Sequence, residues 1–149
     1  MPHVAVAGPG EATDHEEEVA ALVGRGLAEA GATVVCGGLG GIMAAACRGA
    51  AAAGGLTVGI LPGTDRASAN QWVRVAIPTG LGELRNGLIV RAADALIAVG
   101  GAYGTLSEIA LALKTGIPVI GIGTWEIDGV EQVGAAAEAV ERAVALARG

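Results

Sequence analysis

Short apolar runs alternate along this chain with longer helical stretches, and glycine-rich turns join them. The apolar runs predict strands at residues 3–7, 33–36, 57–61, 73–77, 95–99 and 119–122. The stretches between and after them predict helices at about residues 13–30, 41–53, 82–92, 105–115 and 130–148. Strands that alternate with helices in this way are typical of a parallel sheet.

The predicted strand at residues 95–99 is apolar at every position. Strands without a polar face occur where helices cover both sides of the sheet. We therefore predict an α/β fold: a single Rossmann-like, three-layer domain over residues 1–149 with a mostly parallel, doubly wound sheet. Ligands of such folds bind beyond the carboxyl ends of the strands, so the loops at that edge are the place to look for a site.

Composition excludes several classes of protein. Nine Lys and Arg against fifteen Asp and Glu, a net charge of -6, do not supply the basic surface that nucleic acids require. A hydrophobic content of 52% excludes a disordered chain. Uncharged segments such as 49–64 are rich in alanine and glycine and too weakly apolar to span a bilayer. The N-terminus lacks a basic segment before its apolar run, so we expect a soluble, cytoplasmic protein with no membrane partner.

The sequence shows no cluster of side chains with metal-ligand spacing, and we predict no metal site. Cys36 and Cys47 fall on different predicted elements. We interpret them as two small buried side chains rather than as part of a disulfide framework.

Three glycine-rich loops follow predicted strands and lead into helices. They are Gly8-Pro9-Gly10, the run from Gly37 to Gly41 and the run from Gly100 to Thr105. Backbone N–H groups in such a turn approach an anion closely, and the helix dipole favours negative charge there. The set indicates a phosphate-bearing ligand, although glycines also serve simply to make tight turns. The first loop is the weakest candidate, because three acidic residues, 16–18, open its helix.

Two common nucleotide sites are excluded. A Walker-type loop needs a lysine after its glycines, and the single lysine of this chain is Lys114. A dinucleotide site needs a third glycine where Thr13 stands, and an acid at the end of the second strand where Cys36-Gly37 stands. Classical NAD binding is therefore not expected.

Few polar side chains lie near the glycine loops. Arg85 suits an anionic group and Glu108 suits a sugar or an activated water. The alternative for Arg85 is a surface or interface salt bridge. The alternative for Glu108 is a capping box in which Thr105 caps the helix and Glu108 reaches back to it. Tyr103 is a candidate for stacking on a base, and Arg91 and Asp94 are predicted to form a structural ion pair.

The run from Cys36 to Met43, the pair Arg85-Asn86 and the run from Ala95 to Glu108 together resemble the Lonely Guy family of cytokinin-activating phosphoribohydrolases, part of the "lysine decarboxylase-like" superfamily. They resemble even more closely its short bacterial members and the molybdenum-cofactor carrier proteins. The resemblance extends from Val4 to about Ile122.

The resemblance implies a homo-oligomer, a dimer or tetramer, that binds a nucleoside monophosphate or a similar phosphorylated ligand. In the hydrolases the matching arginine and glutamate are catalytic and cleave the N-glycosidic bond, which assigns that role to Arg85 and Glu108. No cofactor is required for that reaction; a carrier would instead hold a phosphorylated pterin such as the molybdenum cofactor. The ligand-binding set predicted from the loops and the resemblance is Gly37, Gly38, Gly40, Gly41, Met43, Asn86, Gly100, Gly101, Tyr103, Gly104 and Thr105.

Departures from the hydrolase pattern favour the carrier branch. Asn86 stands where the hydrolases have a lysine, and Gly82-Glu83-Leu84 replaces their methionine-histidine-glutamate. Gly100-Gly101-Ala102 replaces their proline-glycine-glycine. A pyridoxal-dependent lysine decarboxylase is excluded, because Lys114 falls at a predicted helix end, where it complements the helix dipole. The helical stretch 109–113 is apolar all round, which predicts that an oligomer interface covers it together with the helix starting near Gly82.

Overall fold

The computed structural model describes residues 1–148 and contains a seven-stranded, fully parallel sheet in the order β4-β3-β2-β1-β5-β6-β7. The strands are β1 His3–Ala7, β2 Thr33–Cys36, β3 Thr57–Leu61, β4 Val75–Pro78, β5 Ala95–Val99, β6 Val119–Ile122 and β7 Val130–Gln132. The helices are α1 Asp14–Glu29, α2 Ile42–Ala52, α3 Asn86–Arg91, α4 Tyr103–Lys114 and α5 Ala136–Arg148. Short 3-10 turns occupy Arg66–Ser68 and Gly82–Arg85.

The sheet separates two apolar layers, which confirms the three-layer, Rossmann-like prediction. Alternate residues of β1 point to opposite faces: Val4 and Val6 pack in the layer that holds α1, α2 and α5, and Ala5 and Ala7 in the layer that holds α3 and α4. The strand order reverses between β1 and β5, so the crevice at their carboxyl ends is the place where this fold binds ligands.

Several boundaries differ from the sequence prediction. Residues 130–132, predicted as the start of the last helix, form the edge strand β7, and α5 begins only at Ala136. The stretch 82–92 is a 3-10 turn followed by the short helix α3 rather than one helix. The predicted strand at 73–77 lies two residues later, at Val75–Pro78. Pairing with a neighbouring strand or the geometry of a turn decides the structure of these short segments, and their own sequence pattern does not.

One side-chain prediction is also corrected, that of an ion pair between Arg91 and Asp94. Asp94 accepts a hydrogen bond from the backbone N–H of His3 at 2.9 Å, and the ion pairs within residues 1–148 do not include Arg91 with Asp94. Helix α4 buries Ile109 and Ala112 against the sheet, whereas Ala110 is exposed. Among residues 1–148, no helix combines the length and the apolar character needed to cross a membrane.

Candidate functional site

Arg85 is buried at the carboxyl edge of the sheet, where it joins two strands. It ends the 3-10 turn before α3, and its side chain is 8% exposed. Nε donates to the carbonyl oxygen of Ile60 in β3 at 3.0 Å, and Nη2 lies 3.5 Å from the carbonyl oxygen of Gly37, directly after β2. Nη1 donates to Asn86 Oδ1 at 2.6 Å. The guanidinium is therefore held in one orientation by three neutral acceptors.

The charge of Arg85 is not neutralised by a carboxylate. Ion pairs with a nitrogen–oxygen distance of 4.0 Å or less join Arg25 to Glu29 and Arg142 to Glu131 in the described part of the chain, and Arg85 takes part in neither. The alternative interpretation of Arg85 as half of a surface salt bridge is therefore wrong, and an interface salt bridge stays a prediction. A buried cation without a counter-ion is costly, and a bound anion relieves that cost.

Gly37 leaves room for the guanidinium against the loop after β2. A Cβ atom at this position would lie 2.8 Å from Arg85 Nη2 and 2.9 Å from Met43 Sδ. Both contacts are closer than side chains tolerate, so any larger residue would displace the arginine or the methionine. Gly37, Met43 and Arg85, all predicted to be site residues, are thus brought together.

A chain of hydrogen bonds links Arg85 to α4. Asn86 is 3% exposed, and its Nδ2 donates to Ser107 Oγ at 2.9 Å while its Oδ1 accepts from Arg85. Ser107 Oγ in turn donates to the carbonyl oxygen of Gly104 in the first turn of α4. The asparagine therefore fixes Arg85 relative to the glycine-rich loop after β5.

Glu108 is buried in the second turn of α4, with 9% of the residue exposed. Its Oε2 atom is buried and finds no hydrogen-bond partner within residues 1–148. Burial raises the pKa of this carboxyl from 4.5 to about 7, although the positive charge of Arg85 acts to lower it. A carboxyl group with such a pKa exchanges a proton near neutral pH, as a general acid or base does.

The capping-box alternative for Glu108 is wrong. Helix α4 begins at Tyr103 and is preceded by Ala102 at the cap position, with no side-chain hydrogen bond to the cap. Thr105 lies inside the helix, and its buried hydroxyl also lacks a partner in the described chain. Two unpartnered buried polar groups, Thr105 Oγ1 and Glu108 Oε2, thus belong to the first two turns of α4. Such groups call for a ligand or water, because burying them unpaired is unfavourable.

The loop between β2 and α2 is held in a fixed shape. The side-chain Nδ2 of Asn70 donates to the carbonyl oxygen of Leu39 at 2.9 Å. The backbone N–H of Asn70 donates to the carbonyl oxygen of Gly38, also at 2.9 Å. Gly41 precedes α2 with φ +61°, a conformation that favours glycine, and no side chain caps the helix. Uncapped N–H groups at a helix start are suited to bind an anion.

Cys36 and Cys47 flank the same loop, one at the end of β2 and the other on α2. Both side chains are fully buried, as the sequence predicted, and their sulfur atoms lie 3.5 Å apart. The hydrogen bond from Cys47 and burial raise the pKa of Cys36, whereas the same hydrogen bond lowers the pKa of Cys47 against the effect of burial. The two thiols thereby tie α2 to the sheet behind the glycine loop.

The two glycines that follow β5 lie against different side chains. Gly100 lies against the Glu16 carboxylate, which also closes the capping box of α1 with Thr13. An anion is unfavourable on that side, because a carboxylate already occupies it. Gly101 lies on the other side, against the indole of Trp125, which donates from Nε1 to the carbonyl oxygen of Ala102 at 3.1 Å.

The predicted residues therefore form three neighbouring groups rather than one. Arg85, Asn86, Gly37 and Met43 come together directly, and Glu108 acts on them through charge. Gly40 and Gly41 approach the first glycine loop at Gly10. Gly38 lies in the loop after β2, and the others lie in the loop after β5 and the first turn of α4: Gly100, Gly101, Tyr103, Gly104 and Thr105. Sequence reasoning missed Ser107, Asn70 and Trp125; of these only Trp125 had a signal, as one of two tryptophans in a chain without phenylalanine.

Comparison with known families gives one match that spans nearly the whole chain. The family model of the SLOG cluster4 family matches residues 1–147. An uncharacterized protein of Archaeoglobus fulgidus is 46% identical over 113 residues, which cover 76% of this chain and 74% of that protein.

Solved structures with the same fold carry a common description. The molybdenum cofactor binding protein of Rippkaea orientalis is 35% identical, with a TM-score of 0.92 over 97% of this chain and 96% of that one. The molybdenum cofactor carrier protein of Chlamydomonas reinhardtii is 31% identical, with a TM-score of 0.91 over 99% of each chain. This chain is thus similar to carrier proteins over its whole described length, as the motif resemblance implied.

Proposed function

Because the chain belongs to the SLOG cluster4 family, we propose that it is a binding or carrier protein for a phosphorylated small ligand of the molybdenum-cofactor type. The relatives of known structure are described as cofactor-binding and carrier proteins, which supports this proposal. The glycine loops after β2 and β5 and the buried Arg85 form the ligand site. The protein acts in the cell interior as a homo-oligomer.

The single observation that carries the proposal is the buried, unpaired charge of Arg85. Its five N–H donors are oriented by the carbonyl oxygens of Ile60 and Gly37 and by Asn86, none of which carries a negative charge. Guanidinium groups bind phosphate strongly because their donors match its oxygen atoms. A terminal phosphate at this place would neutralise Arg85 and accept from the N–H groups that follow Ile42 in the first turn of α2, since the N–H of Ile42 itself donates to the carbonyl oxygen of Pro9.

The residues of the site are suited to bind the phosphate group of a phosphorylated pterin. Arg85 and the N-terminus of α2 supply positive charge, and Gly37 and Gly41 leave the backbone open to close approach. Glu108 suits the same ligand, because the raised pKa keeps much of this carboxyl uncharged near neutral pH and removes its repulsion of phosphate. No covalent change of the ligand is needed for a carrier.

A second function, hydrolysis of the N-glycosidic bond of nucleoside 5′-monophosphates, is favoured by one observation. Glu108 combines burial, a pKa of about 7 and the nearby charge of Arg85. These are the properties of a group that activates water or stabilises an oxocarbenium-like sugar. In that reaction Arg85 would bind the 5′-phosphate and Glu108 would act as the acid–base residue.

One experiment separates the two functions. The purified protein is titrated with inorganic phosphate, adenosine 5′-monophosphate and molybdenum cofactor released from a donor enzyme. Thermal stability and ribose 5-phosphate release are measured together, and retained cofactor is scored by reactivation of a cofactor-free enzyme. A carrier gives stabilisation and protected cofactor without ribose 5-phosphate, whereas a hydrolase releases ribose 5-phosphate.

The matched variants are Arg85→Met and Arg25→Met. Arg25 is exposed and pairs with Glu29 on α1, far from the glycine loops, so its variant controls for the loss of one positive charge. Arg85→Met should abolish ligand stabilisation, and Arg25→Met should leave it intact. Equal stabilisation of both variants by phosphate and cofactor would overturn the proposal.

We also propose that the oligomer forms through the segment from β4 to α3. Of the ten exposed large apolar side chains within residues 1–148, five fall in this short segment. Leu84 is 80% exposed, which is unusual for a leucine on a monomer surface next to other apolar groups. The five are Val75, Ile77, Leu81, Leu84 and Leu88.

A further inference from the structure

Aromatic side chains are rare in this protein, and two of them lie together beside the candidate site. The chain contains two tryptophans, one tyrosine and no phenylalanine. Tyr103, at the start of α4, and Trp125, in the loop after β6, are stacked with ring centroids 6.2 Å apart and an interplanar angle of 25°. Both follow strands of the ligand-binding edge, β5 and β6.

Trp125 is the fixed member of the pair. Its indole nitrogen donates to the carbonyl oxygen of Ala102, and its ring packs on the apolar layer that holds α3 and α4. Gly101 lets the indole lie against the loop after β5, because a Cβ atom there would lie only 3.3 Å from the indole nitrogen. The orientation of the indole is therefore set by the glycine-rich loop itself.

Tyr103 is the open member of the pair. It is 85% exposed, so the stack with Trp125 buries little of its ring. A structural role would bury the ring, since burial is the main source of stability that an aromatic side chain supplies. An exposed ring inclined by 25° to a fixed indole is instead a surface on which a further planar ring can stack.

An open depression of about 320 Å³ adjoins Trp125. It is lined by Gly101, Gly123, Thr124 and Trp125. The hydroxyl oxygen of Thr124 is buried and has no hydrogen-bond partner in the described chain. The depression therefore has the Trp125 indole as its aromatic wall and small residues around it.

We propose that Tyr103 and Trp125 form the subsite for a planar heteroaromatic ring, a pterin or a purine, carried by the phosphorylated ligand. The inference rests on the proposed function, because the ring is attached to a phosphate bound at Arg85. Phosphate binding and ring stacking then contribute separately to affinity.

The test uses Trp125 as its own reporter. In a Trp72→Phe background Trp125 is the only tryptophan. In the parent the guanidinium carbon of Arg48 lies 5.8 Å from the centre of the Trp72 ring, and phenylalanine keeps an aromatic ring at that position. Quenching of its fluorescence is titrated with adenosine 5′-monophosphate, with a phosphorylated pterin and with inorganic phosphate. We expect the ring-bearing probes to quench, and phosphate alone to stabilise the protein thermally without strong quenching.

Two variants of Tyr103 supply the decisive comparison. Tyr103→Ala should weaken the binding of the ring-bearing probe by about tenfold, the loss of one stacking contact, and leave phosphate binding unchanged. Tyr103→Phe keeps the ring and should retain the parent affinity. Both should fold normally, because the side chain is exposed.

The outcomes keep the two proposals apart. If phosphate binds but Tyr103→Ala does not weaken the ring-bearing probes, the aromatic subsite is wrong and the phosphate site stands. If phosphate does not bind at all, the proposed function fails. Stronger quenching by the pterin or by the purine identifies which of the two rings the subsite accepts.

Discussion

Glu108 and Arg85 lie buried in the same site, 9% and 8% exposed, yet they do not form an ion pair. Arg85 donates instead to two carbonyl oxygens and to Asn86, and Glu108 keeps one oxygen without a partner. Paired, the two groups would neutralise each other and offer little to a ligand. Apart, they leave a cation for an anionic group and a carboxyl that is half protonated near neutral pH.

The raised pKa of Glu108 predicts a specific pH dependence of stability. The folded chain holds the proton up to a pKa of about 7, whereas the unfolded chain releases it near 4.5. The contribution of Glu108 to the free energy of unfolding should therefore be greatest below pH 4.5 and fall as the pH rises through 7. The total loss from this group is about 3 kcal/mol.

Glu108→Gln removes this titration and supplies the measurement. Urea unfolding of both proteins from pH 5 to pH 8 should show that the variant gains stability relative to the parent by about 3 kcal/mol across this range. Thr13 and Glu16 form a true capping box on α1, so Glu16→Gln serves as the control. It should lower stability modestly with no comparable gain towards high pH. Parallel curves for Glu108→Gln and the parent would contradict a raised pKa.

The same substitution separates carrier from hydrolase. In a carrier Glu108→Gln should preserve or increase affinity for adenosine 5′-monophosphate, because it removes a partial negative charge beside the phosphate site. In a hydrolase it should keep affinity but reduce kcat by about 100-fold or more, the usual effect of losing a general acid or base. Isothermal titration and a ribose 5-phosphate assay on one preparation measure both. Loss of binding itself would assign Glu108 to ligand contact instead.

Gly41 and Gly40 offer a matched pair for testing the loop before α2. Gly41 has φ +61°, and a Cβ atom there would overlap the carbonyl oxygen of Pro9. At Gly40 the nearest atom to a Cβ is the carbonyl oxygen of Gly10 at 3.6 Å, an ordinary contact. Gly41→Ala should therefore cost about 1 kcal/mol or more, and Gly40→Ala about 0.5 kcal/mol or less. Thermal unfolding measures the difference, and equal costs would show that the loop adapts.

The prediction of the fold from the sequence succeeded where apolar patterning is strong. The strands at residues 3–7, 33–36, 57–61, 95–99 and 119–122 agree with the structure, because their apolar runs are bounded by glycine turns. Strand β7 was missed, because Val130–Gln132 is three residues long, polar at two of its three positions and exposed there at the sheet edge. These residues form a strand because they pair with β6, and the local sequence does not show this pairing.

The candidate site was predictable only in part. Arg85 and Glu108 stand out because polar side chains are few near the glycine loops. The true start of α4 was not visible, since Thr105 and Glu108 have the spacing of a capping box while the chain enters the helix two residues earlier at Tyr103. Trp125 joins the site through a long-range hydrogen bond to Ala102, and sequence separation hides such contacts.

The last prediction concerns the apolar segment from β4 to α3. Leu84 is 80% exposed and lies in the 3-10 turn that ends at Arg85, so an interface there would also shield the ligand site. Leu84→Glu would place a charge in that interface, which is unfavourable without a partner. We expect the parent to sediment as a dimer or tetramer at micromolar concentration and the variant as a monomer. Leu22→Glu is the control, because Leu22 is also exposed, at 53%, but lies on α1 in the opposite layer. A parent that sediments as a monomer, or equal dissociation of both variants, would show that this segment is not the interface.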